Sequence, residues 1–435
     1  MSIMKKISFL LFFFLISIIT LKAQNERVIP LKEALTLGLK HSPQLLKDTA
    51  HLIVATADLQ EAREKRLPEL SVSSQALWLN QPHVKLPQAG SGANPSIHSA
   101  IIANVSGSLP LYAGGRIKMG ITQAGHLLEA AKLETQSDSN TVYFTICDQY
   151  VQLYKVQQAV SFIQDQLNNS IRRDSVFMGL EQNGIMAKND RLKAQLQTAS
   201  LKMSLLEAKE QLQFTQEAMC QQLGLPLQTS IVAENIKAVV FDTILEPYEH
   251  YETMAFNNRK ELQWLIQQQQ AAALGVTMAK SLNMPMIGLS VGYFSAVVPQ
   301  FITISNAINA GVGIKYNIHN LWKSNTQLQK SRAKELELQA TAVQMREKIQ
   351  LQVSKNFQQV KLVEKKIALL LQVQEEAFEN DRIVQQKFDN GLATVTELLD
   401  AKGLLIQAEL NLVNAQSDLA AAHLQLKFSI GNSNQ

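Results

Sequence analysis

The stretch that decides the fold is NGLATVTELLDAKGLLIQAELNLVNAQSDLAAAHLQLKFSIG, residues 390–431. Leucine and alanine recur along it at alternating steps of three and four residues. An apolar seam with a seven-residue period is typical of a helix that supercoils left-handedly against a partner. Alanine at every second position allows that partner to approach closely. The sequence therefore predicts a long coiled-coil helix, with its seam at Leu398, Ala401, Leu405, Ala408, Leu412, Ala415, Leu419, Ala422 and Leu426.

The same stretch has an earlier copy in the chain. Asn183-Gly184 opens a segment that ends at Leu223-Gly224, and Asn390-Gly391 opens one that ends at Ile430-Gly431, with an offset of 207 residues at both ends. The positions between them recur without a gap. Such an internal repeat predicts a tandem duplication of long helical hairpins that turn at the Asn-Gly pairs. The recurring residues are Leu192, Ala194, Leu205, Ala208 and Leu212, which return as Leu399, Ala401, Leu412, Ala415 and Leu419.

The N-terminal end has the pattern of an export signal. Lys5 and Lys6 precede an apolar run from Ile7 to Leu21, and Ala23 offers a small residue for cleavage, so residues 1–23 are predicted to be a signal peptide. Beyond it, no apolar run approaches the ~20 residues of a membrane-spanning helix. Without the three lysines of the signal, 38 basic residues face 37 acidic ones, so no net field attracts nucleic acid or anionic lipid.

Cys147 and Cys220 are the only two cysteines. A turn at Asn183-Gly184 places them at one level on antiparallel helices, because each lies 36 residues from the turn. An exported protein can form a disulfide there, provided that both side chains face the shared seam. Two buried free thiols are the favoured interpretation, and the disulfide is the alternative.

The first copy, residues 24–230, combines helices with two strands. Helical periodicity from Leu31 to Arg66 stops at Pro68, with a predicted break at Ser42-Pro43. The period then changes to two, with apolar residues alternating with small polar ones. The pattern predicts strands at about 69–79 and 100–111 joined by a loop rich in Gly, Pro, Asn and Ser, a long helix at about 115–182 and a return helix at about 185–223. The long helix alone would measure ~100 Å at 1.5 Å per residue.

A linker, residues 231–251, precedes the second copy, residues 252–435, in which the same order returns. The linker holds the β-branched run Ile231–Val240 and is expected to contain at most one short strand and one helix. A helical segment from Glu252 to Leu282 is followed by Pro285, which stands where Pro68 stood. The remaining predicted elements are strands at about 286–298 and 303–318, a long helix at about 321–389 and a return helix at about 393–429.

The predicted strands are about ten residues long, which is the length that a tilted strand needs to cross a bilayer. Each strand has an apolar face and a face of small polar residues, as in a transmembrane barrel. Four strands cannot close a barrel, and open edges are not tolerated in lipid, so the chain is expected to oligomerise. A trimer supplies twelve strands. The alternative is a soluble β-layer covered by helices. Trp78, Tyr293 and Tyr316 are expected to be membrane-interface aromatics.

These residues resemble the TolC-like outer membrane efflux protein family over essentially the whole mature chain. The resemblance is carried by the duplicated order of elements, by the strand exit Leu111-Tyr112-Ala113-Gly114-Gly115-Arg116, and by the two hairpin turns with the segment Glu397-Leu398-Leu399-Asp400-Ala401. The second copy departs from the glycine-pair exit and carries His319-Asn320-Leu321-Trp322-Lys323 instead.

The resemblance implies a mainly α-helical chain with transmembrane β-strands that forms a homotrimeric channel-tunnel. A twelve-stranded barrel in the outer membrane would continue into a helical barrel in the periplasm. Such channels act as exit ducts of tripartite efflux or type I secretion systems. Their partners are a periplasmic adaptor and an inner-membrane pump, and the choice of substrate lies largely with the pump.

The resemblance also implies a gate at the periplasmic entrance, where acidic positions form rings. Glu397 and Asp400 match those positions, and Asp190 is the first-copy equivalent of Glu397. Three copies of the acid pair would favour cations and hold divalent ions that plug the pore. For Glu397 the alternative is a helix cap, because Thr394-x-x-Glu397 also matches a capping box. For Asp400 the alternative is an ordinary solvated helix position, and the first-copy counterpart of Asp400 is Lys193.

The apolar residues at the two turns, Ile185, Met186, Ala187, Leu392 and Ala393, are expected to be exposed and are candidates for docking an adaptor. Simple packing of the turns is the alternative. Relatives hold the closed state with an arginine and a tyrosine near this tip, and the corresponding places here hold Ala393 and Phe388. A different closed-state contact is therefore expected. The docking candidates are Gly184, Ile185, Met186, Ala187, Gly391, Leu392 and Ala393.

The pattern does not indicate an enzyme, a cofactor or a resident metal. The eight histidines are scattered, and Gly114-Gly115 lacks the rest of a nucleotide-binding fingerprint. The competing class is a non-conducting periplasmic scaffold or adaptor. An adaptor is expected to have one hairpin flanked by compact β-domains, whereas this chain has two hairpins and two strand pairs.

Overall fold

The computed structural model describes residues 27–80, 97–234, 245–299, 301–318 and 325–431. Most of these residues are helical. The predicted signal peptide and the His319-Asn320-Leu321-Trp322-Lys323 exit lie outside the described residues. None of the helices within those ranges is both long enough and apolar enough to cross a membrane.

The first half of the chain contains four helices and four strands, in the order β1 Arg27–Ile29, α1 Leu31–His41, α2 Pro43–Glu64, β2 Glu69–Trp78, β3 Ser99–Tyr112, α3 Arg116–Gln182, α4 Lys188–Leu223 and β4 Ile231–Ala233. The second half repeats the order of the long elements, with α5 Tyr248–Asn258, α6 Lys260–Ser281, β5 Met286–Val298, β6 Ile302–Lys315, α7 Thr326–Asp389 and α8 Val395–Ser429. These counts refer to the ranges given above.

The helical segment expected from Glu252 to Leu282 consists of two helices, α5 and α6. The backbone of Arg259 is extended between them, and its amide bonds to the carbonyl of Ala255. Arg259 is buried, and its guanidinium lies 5.7 Å from the ring centre of Phe428. No proline or glycine marks this break, so the periodicity alone did not show it.

The described residues form two compact units. One comprises the chain up to Lys47, Gln136–Lys260 and the part from Arg346 onward. Its core surrounds β1 and β4, which pair in parallel, and the buried Tyr150 hydroxyl donates to the carbonyl of Ile29 at 2.8 Å. Cys147 and Cys220 are both buried in this unit and free, as the favoured interpretation predicted.

The Leu/Ala seam of α8 lies in this first unit and faces its interior. Seven of the nine seam residues are buried, and Leu405 and Leu419 are half-buried. In α4 the equivalent residues Ala194 and Leu205 are buried as well, whereas Leu192 is 43% exposed. The seam predicted from the sequence is therefore the packed face of α8.

The second unit comprises Asp48–Thr135 and Glu261–Met345, and it holds a four-stranded antiparallel sheet in the order β2-β3-β5-β6. Side chains point alternately to the two faces of a sheet, so residues that are directly paired on neighbouring strands lie on the same face. One face has the rows Leu70/Gly107/Val291/Ala310 and Val72/Val105/Tyr293/Ile308. The other has Glu69/Ser108/Ser290/Gly311 and Ser71/Ser106/Gly292/Asn309. The sheet thus has an apolar face and a face of small polar residues.

Candidate functional site at the hairpin ends

The turns between α3 and α4 and between α7 and α8 have the same backbone geometry. Gly184 and Gly391 adopt left-handed φ values of 73° and 74°. The next amide of each turn, from Ile185 or Leu392, bonds to the carbonyl five residues earlier, at 2.9 Å and 2.7 Å. The side-chain amides of Asn183 and Asn390 bond to the carbonyl four residues earlier, at 2.9 Å and 2.8 Å. Each Asn-Gly pair therefore closes the end of a long helix in the same way.

The helices that follow these turns begin differently. Thr394 caps α8 in a capping box: its hydroxyl accepts from the amide of Glu397 at 3.2 Å, and its amide donates to the Glu397 carboxylate at 2.7 Å. The carboxylate accepts from the amide of Thr394 and also from its hydroxyl at 3.0 Å. These two bonds, the backbone bond first, hold the pKa of Glu397 below its ordinary value, and Lys387 adds to the effect. The capping role considered for Glu397 is confirmed.

At the start of α4, Ala187 occupies the cap position and provides no side-chain bond. Ion pairs stabilise this turn instead. Arg191 pairs with Glu181 across the turn, and Lys193 lies 3.4 Å from Asp190. Lys193 also donates to the Thr396 hydroxyl of the other hairpin at 2.8 Å, so it connects the two hairpin ends.

Glu397 and Asp400 are both exposed, and they share one face of α8 because they lie three residues apart. Asp190 is half-buried beside Lys193 on α4. Within the described part of a single chain, no group of three or more His, Cys, Asp or Glu side chains is placed to hold a metal ion. A ring of these carboxylates therefore requires further copies of the chain.

The apolar residues of the turns divide into two sets. Ile185 is 73% exposed and Leu392 is 78% exposed, and Ala187 is exposed as well. Met186 differs from the expectation, because it is half-buried against a cluster of apolar side chains from all four long helices. The buried members of this tip cluster are Phe177, Ala194, Val395, Leu398 and Leu399.

Ala393 and Phe388 occupy the places where an arginine and a tyrosine were expected from the resemblance. Phe388 packs on Phe177 with ring centres 5.9 Å apart. Ala393 is half-buried and lines a cavity of about 980 Å³ between the two hairpins. The contact between hairpins at Phe388 is therefore apolar.

A charged cluster that the sequence did not indicate lies beside this cavity, and its members Arg173, Lys402 and Glu409 line the wall. Asp381 is 7% exposed and pairs with Lys402 at 2.6 Å. Glu409 accepts from Gln166 at 3.5 Å. Arg173 donates to Ser170 and Gln197 at 3.1 Å and 3.0 Å. Residues from α3, α4, α7 and α8 thus meet in one polar group.

Two pKa shifts mark this cluster. Burial, and then the charge of Asp381, raise the pKa of Glu409, and Lys402 opposes the shift. Burial lowers the pKa of Arg173 against the charges of Asp174 and Asp381. The sequence held one signal, since Lys402 and Glu409 are seven residues apart and occupy the same position beside the seam.

Comparison with known proteins assigns the chain to a family. The family model described as outer membrane efflux protein matches residues 34–225 and 253–432, one segment for each copy of the repeat. The chain belongs to the outer membrane efflux protein family, whose members are TolC-like. None of the curated protein sequences matches it.

Several solved outer-membrane channels have the same fold. The chain is similar to the channel OprN, with a TM-score of 0.80, 17% identity and coverage of 92% of this chain and 90% of that one. It is similar to VceC from Vibrio cholerae, with a TM-score of 0.77, 19% identity and coverage of 92% and 96%. It is also similar to the open state of the Neisseria gonorrhoeae MtrE channel, with a TM-score of 0.75, 15% identity and coverage of 93% and 89%.

Proposed function

We propose that the chain forms a homotrimeric channel-tunnel in the outer membrane, with a twelve-stranded β-barrel continuous with a periplasmic α-helical barrel. It serves as the passive exit duct of a tripartite efflux or type I secretion system. The observation that carries this proposal is the open-sided sheet of the second unit, in a chain that belongs to the outer membrane efflux protein family. The outer-membrane location, the trimer and the role as an exit duct are proposed together.

Within the described residues, the outer strands β2 and β6 each pair with one neighbour, so the sheet has two open edges. Its apolar face is exposed at Leu70 and Val72 of β2, which are 78% and 80% exposed. An open edge and an apolar face are compatible with lipid only if another strand completes the ladder. Pairing of β6 with β2 of the next copy is a head-to-tail contact, which closes into a ring when the rotation permits. Three copies give twelve strands, an even number.

The helical unit also has two open sides. Four large apolar side chains on α4, and three on the part of α7 that belongs to this unit, are between 60% and 71% exposed and lie along one side of their helix. Stripes of this kind mark interfaces. In a three-fold ring, α4 of one copy would pack against α7 of the next. The exposed residues are Leu196, Met203, Leu206 and Phe214 on α4, and Leu351, Leu362 and Leu369 on α7.

The test is to purify the protein from outer membranes in detergent, to measure its mass and to record its conductance in planar bilayers. A trimer with stepwise conductance is expected. Recovery in the soluble periplasm, or a trimer without conductance, would instead support the periplasmic scaffold. Replacing Leu196 and Phe214 by serine is expected to shift the trimer toward monomer.

At the entrance, the proposed gate consists of Glu397 and Asp400 from three copies, with Asp190 nearby. Such a ring favours cations and binds divalent ions. Glu397→Gln with Asp400→Asn is a sharp test, because glutamine keeps the capping box while the charge is removed. Loss of cation selectivity and of divalent block is expected. The matched control is Glu379→Gln, which removes the charge of an exposed acid on the preceding helix, α7. Unchanged block in the double variant contradicts the gate assignment.

For the partners, the proposal is that the exposed Ile185 and Leu392, held by the turns at Gly184 and Gly391, contact the tips of a periplasmic adaptor that is joined to an inner-membrane pump. The half-buried Met186 would support this surface from within. Replacing Ile185 and Leu392 by asparagine is expected to abolish binding to an adaptor encoded near this gene, while conductance is retained. Retained adaptor binding would place the contact elsewhere.

A further inference from the structure

The charged cluster beside the cavity connects the two hairpins of one chain. Arg173 lies on α3, its partner Gln197 on α4, Asp381 on α7, and Lys402 and Glu409 on α8. It is separate from the exposed Glu397 and Asp400, which are the gate candidates. Asp381 is buried and the other charged members are half-buried, so their charges are only partly solvated.

The charges in this cluster do not balance when every acid is ionised. Two cations, Arg173 and Lys402, face three carboxylates, of Asp174, Asp381 and Glu409. One oxygen of Asp381 and one of Asp174 are buried and lack a hydrogen-bond partner among the described residues. A buried excess charge destabilises the arrangement that encloses it. A single proton makes the cluster neutral.

Glu409 is the acid best placed to take that proton. Asp381 is already paired with Lys402 at 2.6 Å, and the charge of Asp174 acts on Arg173, whereas the contact of Glu409 is a 3.5 Å bond from the uncharged Gln166. From the other helices, Glu409 faces the charge of Asp381 on α7 and the amide of Gln166 on α3, and Lys402 is on its own helix. Arg173 of α3 lines the same cavity. The remaining charges on the cavity wall are Asp190 of α4 and Asp389 of α7.

We infer that this cluster is a proton-operated joint between the two hairpins: a proton on Glu409 balances the cluster and holds the hairpin ends together, and ionisation of Glu409 loosens them. The sign follows from linkage, since the joined state binds the proton more tightly than the separated state. Acidification therefore favours the joined state, and the effect is complete below the range of an ordinary glutamate. The inference rests on the proposed function only for its consequence, an entrance that opens less readily in acid.

The test measures the separation of the hairpin ends within one chain. Spin labels are attached to cysteines introduced at the exposed Lys188 and Gln386, because the native cysteines are buried. Labelled chains are diluted with unlabelled ones, and pulsed EPR distances are compared from about pH 8 to about pH 5. The wild-type distribution is expected to shorten and narrow as the pH falls.

Glu409→Gln is expected to give the short, narrow distribution at every pH, with the pH dependence lost. Glu379→Gln is the matched control and is expected to keep the wild-type response. Lys402→Met removes the cation that pairs with Asp381 and offsets Glu409, and it is expected to broaden the distribution even at low pH. A wild-type distribution that does not change with pH, or a Glu409→Gln variant that still responds, overturns the inference. The distances do not require conduction, so failure of the joint and failure of the channel proposal are distinguishable.

Discussion

The two hairpin ends have the same backbone geometry at the turn but different side-chain interactions at the start of the next helix. Both turns place glycine at a φ near 73°, and both use an asparagine side chain to satisfy the carbonyl four residues earlier. The helix after the second turn begins with the Thr394 capping box, whereas the helix after the first turn relies on Arg191 and Lys193. After duplication, the backbone requirement of the turn stayed the same and the side chains that stabilise the next helix diverged. In the proposed channel, this divergence leaves the exposed acid pair on the second hairpin alone.

The largest loss of local stability is expected from substitutions of the turn glycines, which the two hairpin ends share. Gly184→Ala and Gly391→Ala each force an L-residue into the left-handed region, which costs about 1–2 kcal/mol. Space is not the obstacle, because a Cβ at either position meets no atom within 4 Å. Hydrogen exchange of the turn amides is expected to accelerate equally in both variants. Gly403→Ala, inside α8 with a similarly open site, is the control, and alanine should not destabilise that position. Unequal losses would show that the turns are not equivalent.

A smaller change in local stability is expected from substitutions at the N-terminal cap positions of α4 and α8, where the two hairpin ends differ. Thr394→Ala removes the side-chain acceptor at the start of α8 and is expected to cost about 1 kcal/mol of local stability. The converse change, Ala187→Thr, gives α4 an acceptor and is expected to slow exchange in its first turn. Thr394→Ser keeps the hydroxyl and is the matched control. If Thr394→Ala leaves the exchange at Glu397 unchanged, the capping box does not stabilise this helix.

Breaking the ion pair beside the first turn is expected to have a still smaller effect. The side chains of Lys193 and Asp190 are 42% and 33% exposed, so their attraction is screened and is worth well under about 1 kcal/mol. Lys193→Met is expected to change exchange in α4 only slightly. It also removes the bond to Thr396, so a clear change at the start of α8 would show that Lys193 couples the two ends.

The sequence predicted the elements that depend on local periodicity. The seam of α8 and the two-residue alternation of the strands are visible because a buried face repeats with the geometry of its element. The Asn-Gly turns and the capping box have local signatures as well, and the capping box is confirmed. The expected exposure of Met186 and Ala393 was wrong, because both are half-buried. Met186 packs against the apolar cluster that contains Phe177, a contact that forms only in the folded chain.

The charged cluster could not be predicted, for a related reason. Arg173, Asp381 and Glu409 come from three helices that meet only in the folded chain, and no spacing along the sequence brings them together. In the sequence, each of these charged residues looks like an ordinary solvated position on a helix surface. The apolar contact of Phe388 with Phe177 is equally non-local.

The smallest predicted effect is a pH dependence of the helix start at the second turn. Hydrogen bonds from Thr394 hold the pKa of Glu397 below its ordinary value, so the capped helix start favours the ionised form. The resulting stabilisation is present above the pKa of an unstructured glutamate and is lost as the pH falls through the lowered value. After correction for intrinsic rates, exchange at the start of α8 is therefore expected to rise in acid, and Glu397→Gln should abolish that rise. The sign is opposite to that of Glu409, whose protonation favours the joined hairpins. Acid should accordingly loosen the first turn of α8 while it draws the hairpin ends together. A first turn of α8 that becomes more protected in acid would contradict the assignment of Glu397 to the cap.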